Sequence, residues 1–336
     1  MNTRVAIVGA TGYTAAELVK LLLRHPHVTL TAATSRQEGR PPLASVHPAL
    51  QDRTELTLEN LDPTQLAERA DVVFSCLPHG QSATFVPRLL EAGCRVVDLS
   101  ADYRLDDAAV YHDWYGQEHP DPTRLAETVY GLPELFRETI REARLVANPG
   151  CYPTSAILAL APLVRAGLLG ERPIIVDSKS GVSGAGRGLK LTTHYPECNE
   201  SVSAYAVGTH RHTPEIELLL SKVAQKSVEV IFTPHLIPMD RGILTTTYSE
   251  PHNAVDETEL LDRFAQFYAD EPFVRVVEHL PATKDSLDTN YCDITVRVVR
   301  GRVLTISCLD NLIKGASGAA VQNFNLMCGY PEATAL

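Results

Sequence analysis

The stretch Asn148-Pro149-Gly150-Cys151-Tyr152-Pro153-Thr154 puts a thiol between an apolar run, Leu145-Val146-Ala147, and a segment that reads as a helix. Pro153 suits a first helical turn, where a missing N–H costs nothing. Beyond it Ile157, Leu158, Leu160, Ala161 and Val164 recur at helical spacing, with Pro162 expected to kink the helix and Gly167 to stop it. A cysteine at such a terminus faces unpaired N–H groups and the positive end of the helix dipole, which favour the nucleophilic thiolate. The competing role for any free cysteine is a small buried hydrophobe. The strand–turn–helix setting of Cys151 favours the nucleophile.

A thiol nucleophile needs a proton partner. His210 and His212 flank Arg211 just ahead of Thr213-Pro214-Glu215-Ile216-Glu217-Leu218, which reads as a helix start. An imidazole at a helix N-terminus is biased towards its neutral form and can exchange a proton near pH 7. A His-x-His pair can also bind metal. No further ligand cluster accompanies this one, so no metal is expected.

The elements that must position these groups begin at the N-terminus. Val5-Ala6-Ile7-Val8 is followed by Gly9-Ala10-Thr11-Gly12-Tyr13-Thr14-Ala15 and an apolar helix pattern through Leu22. A strand, a glycine turn and a helix in succession form the dinucleotide-binding arrangement, in which glycines let the backbone approach a pyrophosphate at a helix N-terminus. The second strand, Val28 to Ala33, ends in Thr34-Ser35-Arg36 where an NAD-binding unit would usually carry an acid. A hydroxyl and a guanidinium at Ser35 and Arg36 suit a 2′-phosphate, so NADP is favoured over NAD.

Further along, a proline-rich loop is expected from about Gln37 to Pro63. Strands follow at Asp71 to Pro78, ending in a turn, and at Arg95 to Ser100, with a helix between them from Gln81 to Ala92. This alternation specifies a parallel, doubly wound sheet. Ser100 and Arg104 fall beyond a strand's C-terminal end, the edge where such sheets bind ligands. Tyr111 to Tyr130 reads as an irregular crossover. After the Cys151 helix the character changes. A strand at Ile174 to Lys179 runs into the glycine-rich loop Ser180 to Gly188, which lacks the spacing of a nucleotide hydrolase. Strands at Val228 to Phe232, Gly242 to Tyr248, Cys292 to Val299 and Val303 to Leu309, with a hairpin turn at Arg300-Gly301-Arg302, predict a mixed or antiparallel sheet. Small residues from Lys314 to Asn323 open a last helix, expected to pack back on the first domain.

At 336 residues the chain has room for two cores, and 44% hydrophobic with 21% charged residues is ordinary for a globular protein. A net charge of −11 argues against a general nucleic-acid surface. No apolar run has the length of a membrane span. Met1-Asn2-Thr3-Arg4 leads straight into strand-like sequence, so no signal peptide is expected. Seven scattered cysteines point to free thiols in a reducing, cytoplasmic compartment.

Together these segments resemble the N-acetyl-γ-glutamyl-phosphate reductase family of the aspartate-semialdehyde dehydrogenase superfamily. The matching stretches are Gly9 to Thr14, Ser100 to Leu105, Asn148 to Thr154, Gly181 to Arg187, Gly208 to Ile216 and Asp310 to Gly318, in the family's order. Ala15 departs from the family's usual glycine.

The resemblance implies an α/β fold. It has a Rossmann-type NADP(H)-binding domain over 1–148 plus about 312–336, and an α+β catalytic and oligomerisation domain over 149–311. It implies that Cys151 attacks an acyl phosphate, that a thioester accepts hydride, and that His212 exchanges the proton. Arg104 and Asn148 would hold the phosphate with Ser100 nearby. His210 and Tyr205 would face the substrate, with Tyr205 standing where aspartyl relatives carry an arginine. Ser180 stands where they carry glutamine. Gly9, Thr11, Gly12, Tyr13, Thr14, Ser35, Arg36, Ser183, Gly184 and Asn311 would contact the cofactor. A small-molecule substrate and a homo-oligomer, dimer or tetramer, complete the expectation. A sister reductase of an aminoadipyl or carrier-bound acyl phosphate, and a non-catalytic NADP-binding regulator, are the alternatives.

Overall fold

The computed structural model describes residues 2–36 and 38–336; Gln37, which opens the expected proline-rich loop, lies outside them. The chain divides into two compact units, Met1–Pro149 with Ala316–Leu336, and Gly150–Gly315.

In the first unit the apolar run of β1 (Thr3–Val8) is buried from Val5 onward. The chain turns at Gly9 into α1 (Tyr13–Leu22), which buries Ala15, Leu18, Val19, Leu21 and Leu22. β2 (Val28–Thr34) pairs parallel with β1. The stretch expected to be loop contains α2 (Leu43–Val46), a 3-10 turn at Pro48–Leu50 and β3 (Leu58–Glu59). Leu43, Leu50 and Leu58 enter the core, with Val46 and Leu56 packed against it, and that burial orders a segment with no periodicity to read. α3 (Pro63–Arg69) opens on a capping box: Asp62 accepts from the N–H groups of Thr64 and Gln65, and Gln65 returns a bond to the Asp62 N–H.

β4 (Val72–Ser75), α4 (Ser82–Glu91) and β5 (Arg95–Asp98) follow as the alternation predicts. The stretch read as an irregular crossover holds the end of α5 (Ala108–Tyr115), a 3-10 turn at Pro122–Glu127 and β6 (Val129–Tyr130). Tyr111 and Tyr115 stack 4.4 Å apart, and the Tyr111 hydroxyl donates to Asp102 at 3.0 Å. These tertiary contacts hold a helix whose own sequence signals are weak. α6 (Pro133–Glu142) and β7 (Leu145–Ala147) complete a parallel sheet in the order β3-β2-β1-β4-β5-β7-β6.

The second unit begins with α7 (Cys151–Arg165): the helix starts at the cysteine itself, and Pro153 falls in its first turn as expected. It also runs unbroken through Pro162. The carbonyl of Leu158, which a proline four residues on cannot bond, instead accepts the Tyr268 hydroxyl at 2.5 Å. β8 (Ile174–Gly181), α8 (Tyr195–Cys198), β9 (Ser203–Ala204) and α9 (His212–Ala224) come next. β10 (Val230–Ile237) runs further than the expected Val228 to Phe232. β11 (Ile243–Ser249), α10 (Glu257–Phe267), β12 (Val274–Val276), β13 (Cys292–Val299) and β14 (Arg302–Leu309) finish the sheet, ordered β12-β13-β14-β11-β8-β10-β9.

β8 pairs parallel with β10 and β12 with β13, and the other pairings are antiparallel, so the sheet is mixed. The β13–β14 hairpin turns on Arg300 and Gly301, whose φ values of 51° and 75° are those of a type I′ turn. Hydroxyls fix α7 on this sheet: Ser155 Oγ lies 2.5 Å from Thr245 Oγ1, and Ser307 donates to the Ser155 carbonyl at 3.0 Å.

The last crossing departs from expectation. Ile313–Ser317 forms a π-turn, and α11 (Gly318–Cys328) starts only at Gly318, not at Lys314. α11 then packs on α1 and α6 of the first unit.

Candidate active site

In the second unit the thiol is built into the first residue of α7. Gly150, the N-cap, supplies no side-chain cap, and Cys151 is half-buried. The Gly150 N–H donates to Glu215 Oε1 at 2.8 Å, so a carboxylate from α9 steadies the residue before the thiol. Glu215 is buried in the first turn of α9, where an acid is favoured by the dipole. Sequence reasoning passed over it. An acid three residues after His212 was the available signal, but nothing in the sequence showed that it turns inward.

His212 is the first residue of α9. Tyr152, next to the thiol, meets both imidazoles edge-on, with ring centroids 5.7 Å from His210 and 5.9 Å from His212. The two imidazoles lie 4.8 Å apart. The His212 N–H donates to His210 Nδ1 at 3.1 Å. Nδ1 is therefore an acceptor, and neutral His210 carries its proton on Nε2. Burial, reinforced by the Arg211 charge, pushes His210 down to about 4. Tyr205 donates its hydroxyl to Tyr152 Oη at 3.0 Å and sets its ring against His210. Burial, against the hydrogen bond to Tyr152 and with a smaller push from Cys151, raises the Tyr205 phenol to about 12. The result is an aromatic, neutral wall beside the thiol.

The glycine-rich loop of the second unit is braced from within. Ser183 donates to the Asp240 carbonyl at 2.6 Å and accepts from Asn311 Nδ2 at 3.0 Å. The other end of the Asn311 amide accepts the Gly242 N–H at 2.7 Å. Ser180 is buried and donates to the Gly181 carbonyl. A Cβ at Gly184 would lie 2.9 Å from Ser180 Oγ, so the loop backbone comes close because glycine leaves it room. Asn311 and Ser183 thus engage one another.

The first unit carries the other expected residues. Gly9 has φ +78°, and a Cβ there would sit 2.8 Å from the Cys76 carbonyl, so this corner admits only glycine. Gly12 differs. As N-cap of α1 it has no side-chain cap and nothing within 4 Å of where a Cβ would be. That open space over a helix N-terminus is what a pyrophosphate requires. Tyr13 is exposed beside it, and the Thr14 carbonyl accepts from Ser317. At the end of β2, Glu59 is neutralised by Arg69 at 2.8 Å and Arg40 at 3.9 Å. The Ser35 N–H bonds the Glu59 carbonyl, and Arg36 stands exposed. The local balance is cationic, which fits a 2′-phosphate.

At the C-terminal edge of the same sheet, Arg104 is buried and donates through Nε to the Asn148 carbonyl at 2.8 Å and through Nη2 to Leu99 at 3.0 Å. The Asn148 amide donates to Ala316 and accepts from Asn323. Ser100 Oγ donates to Asp98 Oδ2 at 2.6 Å and accepts the Asp102 N–H, so its proton points into the protein. Asp98, which also accepts from Ser82 at 2.5 Å, is fully buried; burial outweighs these bonds and pushes it up to about 6. Asp102 holds the Gly80 and Ala83 N–H groups. Two buried aspartates thereby fix the Ser100–Arg104 loop.

Among the described residues, no group of three or more His, Cys, Asp or Glu is arranged to hold a metal, and no helix is long and apolar enough to cross a membrane.

Comparison with known proteins agrees with this division. Residues 4–143 match the semialdehyde dehydrogenase NAD-binding domain, and residues 151–311 match the semialdehyde dehydrogenase dimerisation domain. The chain is 55% identical to an N-acetyl-gamma-glutamyl-phosphate reductase of Rhodopirellula baltica, covering 100% of this chain and 98% of that one. It is 52% identical to that of Citrifermentans bemidjiense, covering 99% and 97%. Among solved structures, aspartate semialdehyde dehydrogenase II of Vibrio cholerae superposes with a TM-score of 0.74 at 18% identity, covering 98% of this chain and 99% of that one. The Candida albicans enzyme with NADP gives 0.73 at 14% identity, with the same coverage. At those identities the likeness is one of fold.

Proposed function

Because this chain belongs to the N-acetyl-gamma-glutamyl-phosphate reductase family, we infer that it reduces N-acetyl-L-glutamyl 5-phosphate to the 5-semialdehyde, releasing phosphate, as a step of arginine biosynthesis. The observation that carries the reading is the pairing of Cys151 at the head of α7 with His212 at the head of α9, bridged by Tyr152. Cys151 Sγ attacks the acyl carbon, the bond to the phosphate oxygen breaks, and a thioester remains on the protein. NADPH, when bound, supplies the hydride. His212 protonates the oxyanion of the thiohemiacetal and takes that proton back as the C–S bond breaks, freeing aldehyde and thiolate. A thioester accepts hydride readily and a carboxylate does not, which is the purpose of the covalent step.

The two histidines divide the work. His210, pushed down to about 4, is neutral at pH 7 and offers only its Nε2–H, so it orients the substrate while His212 moves the proton. Tyr205 and His210 present the acyl chain with a wall that carries no fixed charge, suited to an N-acetyl amide. Ser180 acts beneath Gly184, shaping the loop. Arg104, placed by Asn148 and by the Ser100 loop, receives the phosphate. Gly9, Thr11, Gly12, Tyr13 and Thr14 receive the pyrophosphate of NADP(H), and Ser35 and Arg36 its 2′-phosphate. The loop backbone at Ser183 and Gly184, braced by Asn311, approaches the cofactor.

The protein works as a homo-oligomer in the cytoplasm, where its seven free thiols stay reduced. α7, α9 and α10 pack on one face of the second sheet, while Ile175, Ile231 and Tyr248 are 43, 53 and 39% exposed on the other. That apolar face suits a second copy. Ile231→Asp should shift the assembly towards monomer in sedimentation.

The test of the reaction is NADP+ reduction by N-acetyl-L-glutamate 5-semialdehyde. It should require phosphate and be negligible with aspartate semialdehyde, whose charged amino group would meet an uncharged wall. Comparable efficiency on both would overturn the substrate assignment.

A further inference from the structure

We propose that Gly315 is a positioning residue for the reaction: its missing side chain is the seat that fixes where Cys151 stands. The proposal rests on Cys151 being the nucleophile. A Cβ at 315 would lie 2.8 Å from Cys151 Cβ, 3.2 Å from Cys151 Cα and 3.3 Å from the Asp310 carbonyl oxygen. Real Cβ atoms do not approach so closely, so one side would have to move. Gly315 is not among the residues with positive φ, so its backbone would accept any L residue and only space demands glycine.

Neither side yields easily. Gly315 lies in the π-turn, a rare wide turn that recurs at functional sites. Its N–H donates to the Asp310 carbonyl at 2.9 Å, five residues back. Asp310 is fully buried, and its carboxylate accepts the N–H groups of Leu312, Ile313 and Asp288 at 2.8, 3.1 and 2.8 Å. It also pairs with Arg241 at 3.1 Å. On the other side the first turn of α7 is tied by Gly150 to Glu215 and by Thr154 Oγ1 to the Gly150 carbonyl at 2.9 Å. Cys151 is therefore clamped between a rigid turn and a rigid helix start. A methyl group at 315 forces the thiol off its place, and a displacement of about 1 Å is enough to cost roughly 100-fold in rate.

The test compares Gly315→Ala, Cys151→Gly and the double variant. Gly315→Ala should bind NADP+ within about twofold of the unmodified protein, lose at least about 100-fold in kcat with a smaller change in KM, and melt at a lower temperature. The same substitution made in Cys151→Gly, which has no Cβ to strike, should lower the melting temperature far less. If Gly315→Ala does not fold, the double variant must fold. Wild-type turnover by Gly315→Ala, an equal melting loss in both backgrounds, or failure of both variants to fold overturns the seat. An active Cys151→Ser variant would instead overturn the thioester reading and leave the stability cycle untouched, so the two failures are told apart.

Discussion

α1 and α7 both begin after a glycine in extended conformation with no side-chain cap, Gly12 at φ −82°, ψ 167° and Gly150 at φ −69°, ψ 151°. The local grammar is the same, yet the two termini are finished differently. Space is left open at Gly12, as an anion at a helix end would need. At Gly150 the N–H is taken by Glu215, and the first helical residue, a cysteine, is pressed against Gly315. On the proposed function, one terminus receives a charge and the other carries its own nucleophile. What separates them is supplied by residues far away in the chain.

Breaking the nucleophile should have the largest effect. Cys151→Ser should lose at least about 1000-fold in kcat while NADP+ affinity stays unchanged, because a serine hydroxyl is barely ionised at neutral pH. Turnover and cofactor titration on the same preparation check both halves. Filling the open terminus should have the converse effect. Gly12→Val should weaken NADP+ binding about 100-fold, equivalent to about 2.8 kcal/mol, and leave the melting temperature nearly unchanged, since nothing lies within 4 Å of the new Cβ.

Smaller again is the expected effect at the end of β2. Arg36→Ala should remove a charge-assisted contact of about 1.5–3 kcal/mol and lower the NADPH-over-NADH preference about 10- to 100-fold. Paired kcat/KM values with the two cofactors measure it. Equal use of both by the unmodified protein would show that this arginine points elsewhere.

The smallest effect concerns how each region holds a buried titratable group. Burial pushes Asp98 in the first unit up and His210 in the second down, to about 6 and about 4. Folded Asp98 keeps its proton at pH values where the unfolded carboxyl, near 3.8, has lost it. Its protonation therefore stabilises the fold most at low pH, and that contribution fades as pH rises towards about 6. The stability difference between the unmodified protein and Asp98→Asn should grow in favour of the former by about 1 kcal/mol between pH 7 and pH 5. Denaturant unfolding at the two pH values reads it, and a constant difference would mean that Asp98 titrates normally. His210 has the opposite sign: its depressed basicity withdraws stability as pH falls from 6.5 towards about 4.

Much of this was legible in the sequence where the signal was local. Glycines at 9 and 12 between an apolar run and a helical pattern located the turn from β1 into α1. Gly150-Cys151 located the start of α7, and Arg300-Gly301 the β13–β14 hairpin. Signals that depend on distant partners were not legible. Pro162 looked like a kink until Tyr268 supplied the bond for the orphaned Leu158 carbonyl. Tyr111 looked irregular until its ring stacked on Tyr115 and its hydroxyl reached Asp102. The place of Ser100 beyond a strand end was legible, but not the Asp98 carboxylate that takes its proton. Glu215 and Gly315 lie in stretches that the resemblance covers, but their contacts with Gly150 and Cys151, the first across 65 residues, were not legible.

The most direct test of the account is a single-turnover experiment run in reverse. The protein is mixed with N-acetyl-L-glutamate 5-semialdehyde and NADP+ without phosphate, then digested and analysed by mass spectrometry. A covalent route through Cys151 gives a burst of one NADPH per chain that then stalls, with the N-acetylglutamyl group on the peptide containing Cys151, and release of that group when phosphate is added. Steady NADPH formation without phosphate, or an acyl group on any other residue, would contradict it.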